Sequence, residues 1–209
     1  MKRKFLYYSL FFVVLVVAFI YALTRFIPGF GDVKLPVIGY VQPFSFIDQD
    51  GNRISEREVN GKVYVAEYFF TTCKGICPKM NVNMKKLYNT FSKEKDFVIM
   101  SHTVDPYVDT VGRLKKYADS LHIHSDQWHL LTGRKDSLYR AARVSYMLDD
   151  PKNNNEKIED QFIHTQFFAL VDKRGRVRKI YDGLKNDEIM ELTKDIGNLL
   201  NEKPETAPL

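Results

Sequence analysis

The stretch Tyr68-Phe-Phe-Thr-Thr-Cys73-Lys-Gly-Ile-Cys77-Pro-Lys-Met80 contains both cysteines of this 209-residue chain. It joins two different hydrophobic patterns. Residues 62–70 are apolar, β-branched or aromatic at nearly every position, which predicts a strand buried on both faces. Met80, Met84 and Leu87 then recur at helical spacing, which predicts an amphipathic helix. The two cysteines are therefore expected in a strand–loop–helix connection.

Pro78 suggests where that helix begins. Proline fits the first position of a helix and disfavours helical geometry in the residue before it. We therefore expect the helix to start at Pro78, with Cys77 as its N-cap. The helix dipole, the unpaired amides and the nearby charges of Lys74 and Lys79 would then lower the pKa of the Cys77 thiol.

The rest of the chain alternates between strand-like and helix-like segments. Further strands are predicted at about 97–104, 127–131, 162–171 and 177–181, and further helices at about 111–121, 135–146 and 189–199. Residues 44–47 and 52–55 form a predicted hairpin around Asp50-Gly51. This order predicts an α/β fold, with a thioredoxin-like mixed sheet covered by helices on both faces and an added N-terminal β-hairpin.

The N-terminal segment has the character of a membrane anchor. Residues 5–24 carry no charge and number about 20, enough to cross about 30 Å of hydrocarbon as one helix. A cleaved signal peptide is the alternative, but the apolar stretch is longer than usual and no small-x-small site follows it. The basic residues 2–4 would stay in the cytoplasm. We therefore expect a single-pass protein of the cell inner membrane, with its soluble domain on the periplasmic side.

These observations predict five regions along the chain. They are a cytoplasmic basic end at 1–4, a transmembrane anchor at 5–27, a linker at 28–40, a thioredoxin-like domain at 41–201 and a flexible tail at 202–209. Of the 31 basic residues, four lie in the first 28 positions, which leaves 27 against 26 acidic residues in the remainder. No concentrated basic face with interleaved aromatic residues follows, so nucleic-acid binding is not expected.

Two cysteines at this spacing allow three kinds of chemistry. A structural disulfide that closes about five residues would contribute only about 2 kcal/mol, and a domain with this much apolar sequence does not need it. A dithiol–disulfide exchanger is favoured by the strand–loop–helix setting. A soft metal site is the third possibility, because two thiolates and one histidine suit Cu(I) and can also hold Cu(II).

Five histidines are candidates for the third ligand. His102 ends a predicted buried strand, where it would share a sheet edge with Cys73, and His164 lies within Phe162-Ile-His-Thr-Gln-Phe-Phe168. Buried imidazoles require a partner or a ligand. His122 and His124 lie at a helix end, and His129 is expected in packing or at the surface. The residue pattern by itself leaves the choice between His102 and His164 open.

Several motifs are similar to those of one family. They are Phe70-Thr-Thr-Cys73-Lys-Gly-Ile-Cys77-Pro78, Val104-Asp-Pro-Tyr-Val-Asp-Thr110, Trp128-His-Leu-Leu-Thr-Gly133, and His164 ahead of Leu170-Val-Asp-Lys-Arg-Gly-Arg176. From about residue 40 to 200 the chain resembles the Sco/SenC family, membrane-anchored thioredoxin-fold copper proteins of cytochrome c oxidase assembly. The resemblance implies that Cys73, Cys77 and His164 bind one copper ion, as Cu(I) or Cu(II).

The resemblance also implies a function. The expected role is a copper metallochaperone that delivers its ion to the dinuclear copper centre of cytochrome c oxidase. Its partners would be the copper-bearing oxidase subunit and other copper chaperones or thiol reductants. The alternative is a thiol–disulfide oxidoreductase that reduces the cysteines of the copper recipient. Lys74, Val108 and Ile163 replace a proline, an arginine and an aspartate common in the family, which bears on redox poise and partner choice rather than on the ligands.

Other polar and sulfur-containing residues have simpler interpretations. Glu67 is unusual within an apolar strand, and is either a hydrogen-bonded structural acid or a carboxylate that moves protons for Cys73. Met80 and Met84 are expected in the core rather than on a copper path. Asp105 and Asp109 are expected to form a turn and a helix cap.

Overall fold

The computed structural model describes residues 2–26, 35–123, 126–153 and 156–202. Met1, residues 27–34 of the predicted anchor end and linker, His124, and residues 203–209 of the predicted tail lie outside this set. The chain divides into an N-terminal unit that ends at Leu35 and a larger unit that starts at Pro36. The first contains helix α1 (Lys2–Phe26), which over Lys4–Leu23 is long and apolar enough to cross a membrane.

The larger unit is built on a six-stranded sheet. Its strands are β1 (Gly39–Tyr40), β4 (Val63–Phe69), β5 (Phe97–Thr103), β6 (Trp128–Leu131), β7 (Phe167–Val171) and β8 (Arg176–Asp182), in the order β1-β8-β7-β4-β5-β6. β4, β5 and β6 are parallel, and β7, β8 and β1 continue the sheet by antiparallel pairing. β2 (Ser45–Ile47) and β3 (Arg53–Ser55) form a separate hairpin. The mixed sheet and the added hairpin confirm the predictions.

Helices cover both faces of this sheet. They are α2 (Cys77–Thr90), α3 (Val111–Leu121), α4 (Lys135–Arg140) and α5 (Asn186–Asn201), and α4 continues into a π-helical turn at Ala141–Ser145. Tyr68 donates a hydrogen bond from its hydroxyl to the Leu138 carbonyl, 2.7 Å away, so α4 lies on that side of β4. Because side chains alternate along a strand, the neighbouring Glu67 faces the opposite layer.

The strand predicted at 162–171 begins only at Phe167, so His164 lies in an irregular segment instead of in the sheet. This corrects the sequence interpretation. The reason is the length of the neighbouring strand: the last pair between β7 and β8 joins Phe167 to Asp182, and the chain turns at Gly183. One more hydrogen bond, from the Gly183 amide to the Gln166 carbonyl, follows that pair. β8 has then ended, so His164 has no residue of β8 opposite it.

Candidate metal centre

The two cysteines lie at the carboxyl end of β4, where a short loop leads into α2. The helix starts one residue earlier than predicted, with Ile76 as its N-cap (φ −79°, ψ −32°) and Pro78 as its second residue. Cys77 is therefore the first helical residue, and only 4% of it is exposed. The prediction that Cys77 is the N-cap is wrong, because the turn before the helix is already helical at Ile76.

With the helix starting at Cys77, the thiol that ionises first is Cys73 instead of the predicted Cys77. Partial burial opposes ionisation of Cys73, but the Cys77 thiol and the backbone amides of Cys77, Gly75 and Ile76 donate hydrogen bonds to its sulfur, and the pKa of Cys73 is lowered. Burial, followed by the hydrogen bond with Cys73, raises the pKa of Cys77 to about 12. The thiolate favoured by the helix start is thus Cys73, and the predicted activation of Cys77 is wrong.

His164 lies beside the beginning of the cysteine loop and is exposed. Its ring centroid is 5.0 Å from that of Phe162 and 6.0 Å from that of Phe70, three residues before Cys73. The Cys73 amide donates a hydrogen bond to the Phe70 carbonyl. Within the described ranges, no three histidine, cysteine or acidic side chains are grouped closely enough to hold a metal. The structure therefore brings the two thiols together, with His164 nearby but outside a ligand cluster.

A chain of hydrogen bonds connects the segment of His164 to helix α2. The Gly183 amide donates to the Gln166 carbonyl at 2.8 Å, and the buried Asn83 side chain donates to the Gly183 carbonyl, also at 2.8 Å. A Cβ atom at Gly183 would lie 2.8 Å from the Gln166 carbonyl oxygen, so glycine is required for this close approach. On the other side of His164, the Tyr139 hydroxyl donates to the Gln161 carbonyl at 3.1 Å. The segment is therefore fixed on both sides of an exposed imidazole.

His102, the competing candidate, belongs to the aromatic core. Its ring stacks on Tyr68 with centroids 5.0 Å apart, and it also contacts Phe46 and Tyr146. Burial lowers the pKa of His102 to about 4, so the imidazole is neutral. This residue packs on the α4 side of β4 and does not contribute to the cysteine site.

Two other histidines, His122 and His129, lie within the described residues, and both have structural roles. His129 lies 3.3 Å from the Asp48 carboxylate and is mostly buried, as predicted for a packing residue. His122 ends α3 with a positive φ of 51°. Neither belongs to the cysteine site, and His124 lies outside the described residues.

Glu67 lies beneath the site and is completely buried. The Ser101 hydroxyl donates to its Oε1 at 2.6 Å, and the Trp128 indole donates to the Ser101 oxygen at 2.9 Å. Oε2 has no hydrogen-bond partner among the described residues. Burial raises the pKa of Glu67 to about 7, and its charge in turn raises the pKa of Cys77. This buried acid therefore lies within electrostatic reach of Cys77.

Asp109 fixes the cysteine loop and does not cap α3, which corrects the predicted role. The N-cap of α3 is Thr110. The buried carboxylate of Asp109 accepts hydrogen bonds from the amide and hydroxyl of Thr71 and from the hydroxyl of Thr103. It thereby joins the start of the cysteine loop to the end of β5. The sequence indicated the contact between Asp109 and Thr71 only by placing an acidic residue in the loop that follows a predicted strand.

The two methionines of α2 lie in the core. Met80 is 1% exposed and Met84 is 0% exposed. Both positions face the sheet at the helical spacing that the sequence shows, which confirms the prediction that they are packing residues.

Comparison with known proteins relates this chain to one family. The family model of SCO1/SenC matches residues 37–201. The SCO1 protein homolog of Bacillus subtilis (strain 168) is 35% identical over 170 residues, covering 80% of this chain and 86% of the relative.

Solved structures of such proteins share the fold. One is BsSco, in which a disulfide switch was identified and which is described as a member of the Sco family of cytochrome c oxidase assembly proteins. It has a TM-score of 0.68 and 32% identity, and covers 81% of this chain and 99% of its own. Another is copper-bound ScoI of Arabidopsis thaliana, with a TM-score of 0.61, 26% identity, and coverage of 79% and 100%. The match of the family model over most of the chain, together with these relatives, shows that the protein belongs to the SCO1/SenC family.

Proposed function

We propose that this protein is a copper metallochaperone that binds one copper ion and delivers it to the dinuclear copper centre of cytochrome c oxidase. The observation that carries the proposal is the pair of adjacent thiols at the carboxyl end of β4, with Cys73 favoured as thiolate. Family membership supports copper as the cargo, because a relative was crystallised with copper bound.

The proposed ligands are Cys73, Cys77 and His164. Two thiolates and an imidazole form a soft donor set that suits Cu(I) and can also hold Cu(II). His164 is exposed, contacts Phe70 at the start of the cysteine loop, and lies between two hydrogen-bonded points, Gln161 and Gln166. Copper binding would require its imidazole to turn from Phe70 and Phe162 toward the thiols. Metal binding requires both thiols to lose their protons, so loading depends on pH.

Transfer would proceed by ligand exchange. A recipient thiolate binds the copper ion as one of the proposed ligands releases it, and a three-coordinate site leaves a position open for that incoming ligand. Oxidation of Cys73 and Cys77 to a disulfide removes two protons and two electrons and also removes two donors. The oxidation state of the pair therefore controls whether copper can be loaded.

The alternative function is reduction of a disulfide in the copper recipient. It is favoured by the different environments of the two thiols, since Cys73 is partly exposed with a lowered pKa and Cys77 is buried with a raised one. Cys73 would attack a recipient sulfur to form a mixed disulfide. Cys77, after losing its proton, would then attack Cys73 and release the recipient as a dithiol, which has gained the two electrons that the pair has lost.

The proposed location is the cell inner membrane, with α1 as a single-pass anchor and the larger unit on the periplasmic side. The length and apolar composition of α1 support the anchor. In this compartment cysteine pairs can be oxidised, so the pair would need other thiol reductants to regain its reduced form. Its other proposed partners are copper chaperones that supply the ion and the oxidase subunit that receives it.

One experiment separates the two functions. The reduced protein is mixed in its copper-loaded form with the dithiol form of the soluble copper-binding domain of the oxidase subunit, and in its copper-free form with the disulfide form of that domain. A chaperone transfers copper to the dithiol form. An oxidoreductase converts the disulfide form to the dithiol without copper. Absence of copper transfer, together with reduction of the disulfide, would reject the chaperone proposal.

The third ligand has its own test. Replacement of His164 by alanine should weaken copper binding and change the thiolate-to-Cu(II) charge-transfer bands. The matched control is His122→Asn, which removes an exposed imidazole and retains a residue that tolerates the positive φ of this position. Unchanged bands in His164→Ala would remove His164 from the site.

A further inference from the structure

An open groove of about 670 Å³ lies beside the cysteine loop. It is formed by the cysteine loop, the connection between β5 and α3, and one side of α3. The residues that line it are Thr71, Val108, Thr110, Gly112, Arg113, Lys116, Tyr117 and Ser120. None of the ligands proposed for copper is among them, so the groove is separate from the site itself.

The groove is connected to both cysteines through residues close to them in the chain. Thr71 precedes Cys73 by two residues and forms part of one wall. Tyr117 forms another part, and its hydroxyl accepts a hydrogen bond from the Asn81 side chain of α2 at 2.6 Å. Asn81 follows Cys77 by one helical turn. A molecule in the groove would therefore lie next to the loop from which copper is transferred.

The groove is positively charged. Arg113 and Lys116 are exposed in its lining, and the lining residues include no carboxylate. The Arg113 Nε donates a hydrogen bond to the Thr71 hydroxyl at 2.7 Å, so the guanidinium is held in place although 47% of its side chain is exposed. Asp109, 3.8 Å from that nitrogen, is buried, and its oxygens accept hydrogen bonds from Thr71 and Thr103.

This positive charge is local. Residues 68–86, which surround the two cysteines, contain four lysines and no acidic residue, whereas basic and acidic residues nearly balance in the chain after residue 28. The exposed acid nearest to Lys116 in sequence is Asp119, and it pairs with Lys115, which also pairs with Asp50. Two exposed apolar side chains, Tyr107 and Val108, add a surface that a protein partner can cover.

We propose that this groove binds an acidic segment of the protein that receives the copper. The proposal rests on the chaperone function proposed above. Carboxylates of the recipient would pair with Arg113 and Lys116, and apolar groups would cover Val108 and Tyr107. This contact would direct the recipient thiols toward Cys73, because complementary charge increases the rate of encounter and fixes orientation.

The test uses the full-length protein in detergent and the soluble copper-binding domain of the oxidase subunit. Binding to the copper-free protein and copper transfer are measured separately, from about 10 mM to about 150 mM ionic strength, where the screening length falls from about 30 to about 8 Å. The variant is Lys116→Glu. The control is the exposed Lys93→Glu, which lies in the connection that leads to the opposite end of β5. Transfer rates are compared per bound copper ion.

We expect Lys116→Glu to weaken binding and slow transfer by about tenfold at low salt, with the difference disappearing at high salt. The control should behave as the unmodified protein. The proposal would be overturned if Lys116→Glu bound as tightly as the unmodified protein at low salt. It would also be overturned if Lys93→Glu lost as much binding as Lys116→Glu. Binding that depends on salt and on Lys116, without copper transfer, would support the groove and reject the chaperone function. Copper transfer at the same rate in the unmodified protein and in Lys116→Glu would support the chaperone function and reject the groove.

Discussion

Replacement of Glu67 by glutamine should make the stability of the reduced domain less dependent on pH. Glu67 is completely buried, and burial raises its pKa from 4.5 to about 7. Because the folded pKa is raised, the folded state holds the proton more tightly than the unfolded state. The stability linked to this group is therefore present below about pH 4.5 and is lost as the pH rises through about 7.

The size of the effect follows from the pKa shift. Each pKa unit corresponds to about 1.4 kcal/mol, so the charged carboxylate costs the fold about 3 kcal/mol at pH 7 and at most about 3.5 kcal/mol at higher pH. Glutamine carries no charge and retains an oxygen that can accept the hydrogen bond from Ser101. The variant should therefore match the unmodified protein near pH 4.5 and exceed its free energy of unfolding by up to about 3 kcal/mol near pH 8.

Urea unfolding of a fragment that begins at Pro36, with the thiols kept reduced, measures this difference at each pH. The tryptophan signal is suitable, because Trp128 donates a hydrogen bond to the Ser101 hydroxyl that contacts Glu67. The matched control is Glu94→Gln, which neutralises an exposed acid. Parallel pH profiles for the unmodified protein and Glu67→Gln would refute the reasoning about a buried, protonated carboxylate.

Three further predictions follow from the geometry. Iodoacetamide should modify Cys73 before Cys77, as peptide mapping would show, and the reverse order would contradict the assigned thiolate. Gly183→Ala should destabilise the domain by about 1–3 kcal/mol in urea unfolding and shift the NMR signals of His164, because its Cβ meets the Gln166 carbonyl. The control Gly197→Ala, with nothing within 4 Å of its Cβ, should not destabilise. Met84→Ala should cost about 2–5 kcal/mol in the same assay and leave the copper stoichiometry unchanged.

The sequence was sufficient for the sheet and for the place of the cysteines. β4 and β5 are buried along their whole length, and such strands need apolar residues on both faces, so their composition identifies them. The methionines of α2 face the core because they recur at helical spacing. These features depend on hydrophobic pattern, which is a property of the segment itself.

The site details depend on tertiary contacts that no local pattern reports. The composition of residues 162–168 is that of a strand, but β8 ends at Asp182 and leaves His164 without a neighbouring strand. The pKa order of the thiols depends on the backbone of Ile76 and on which sulfur receives the amide hydrogen bonds. The contact between Asp109 and Thr71 joins residues 38 positions apart. Each of these required the positions of distant residues.

Titration of the reduced protein with Cu(I), in competition with a chelator of known affinity, tests the central proposal most directly. The account predicts one copper ion per chain in the unmodified protein. Loss of a residue that only orients a ligand reduces metal affinity about 10–100-fold, so loss of a ligand in Cys73→Ser should cost more than about 100-fold. Equal affinity in the unmodified protein and Cys73→Ser would show that the cysteine pair is not the copper site.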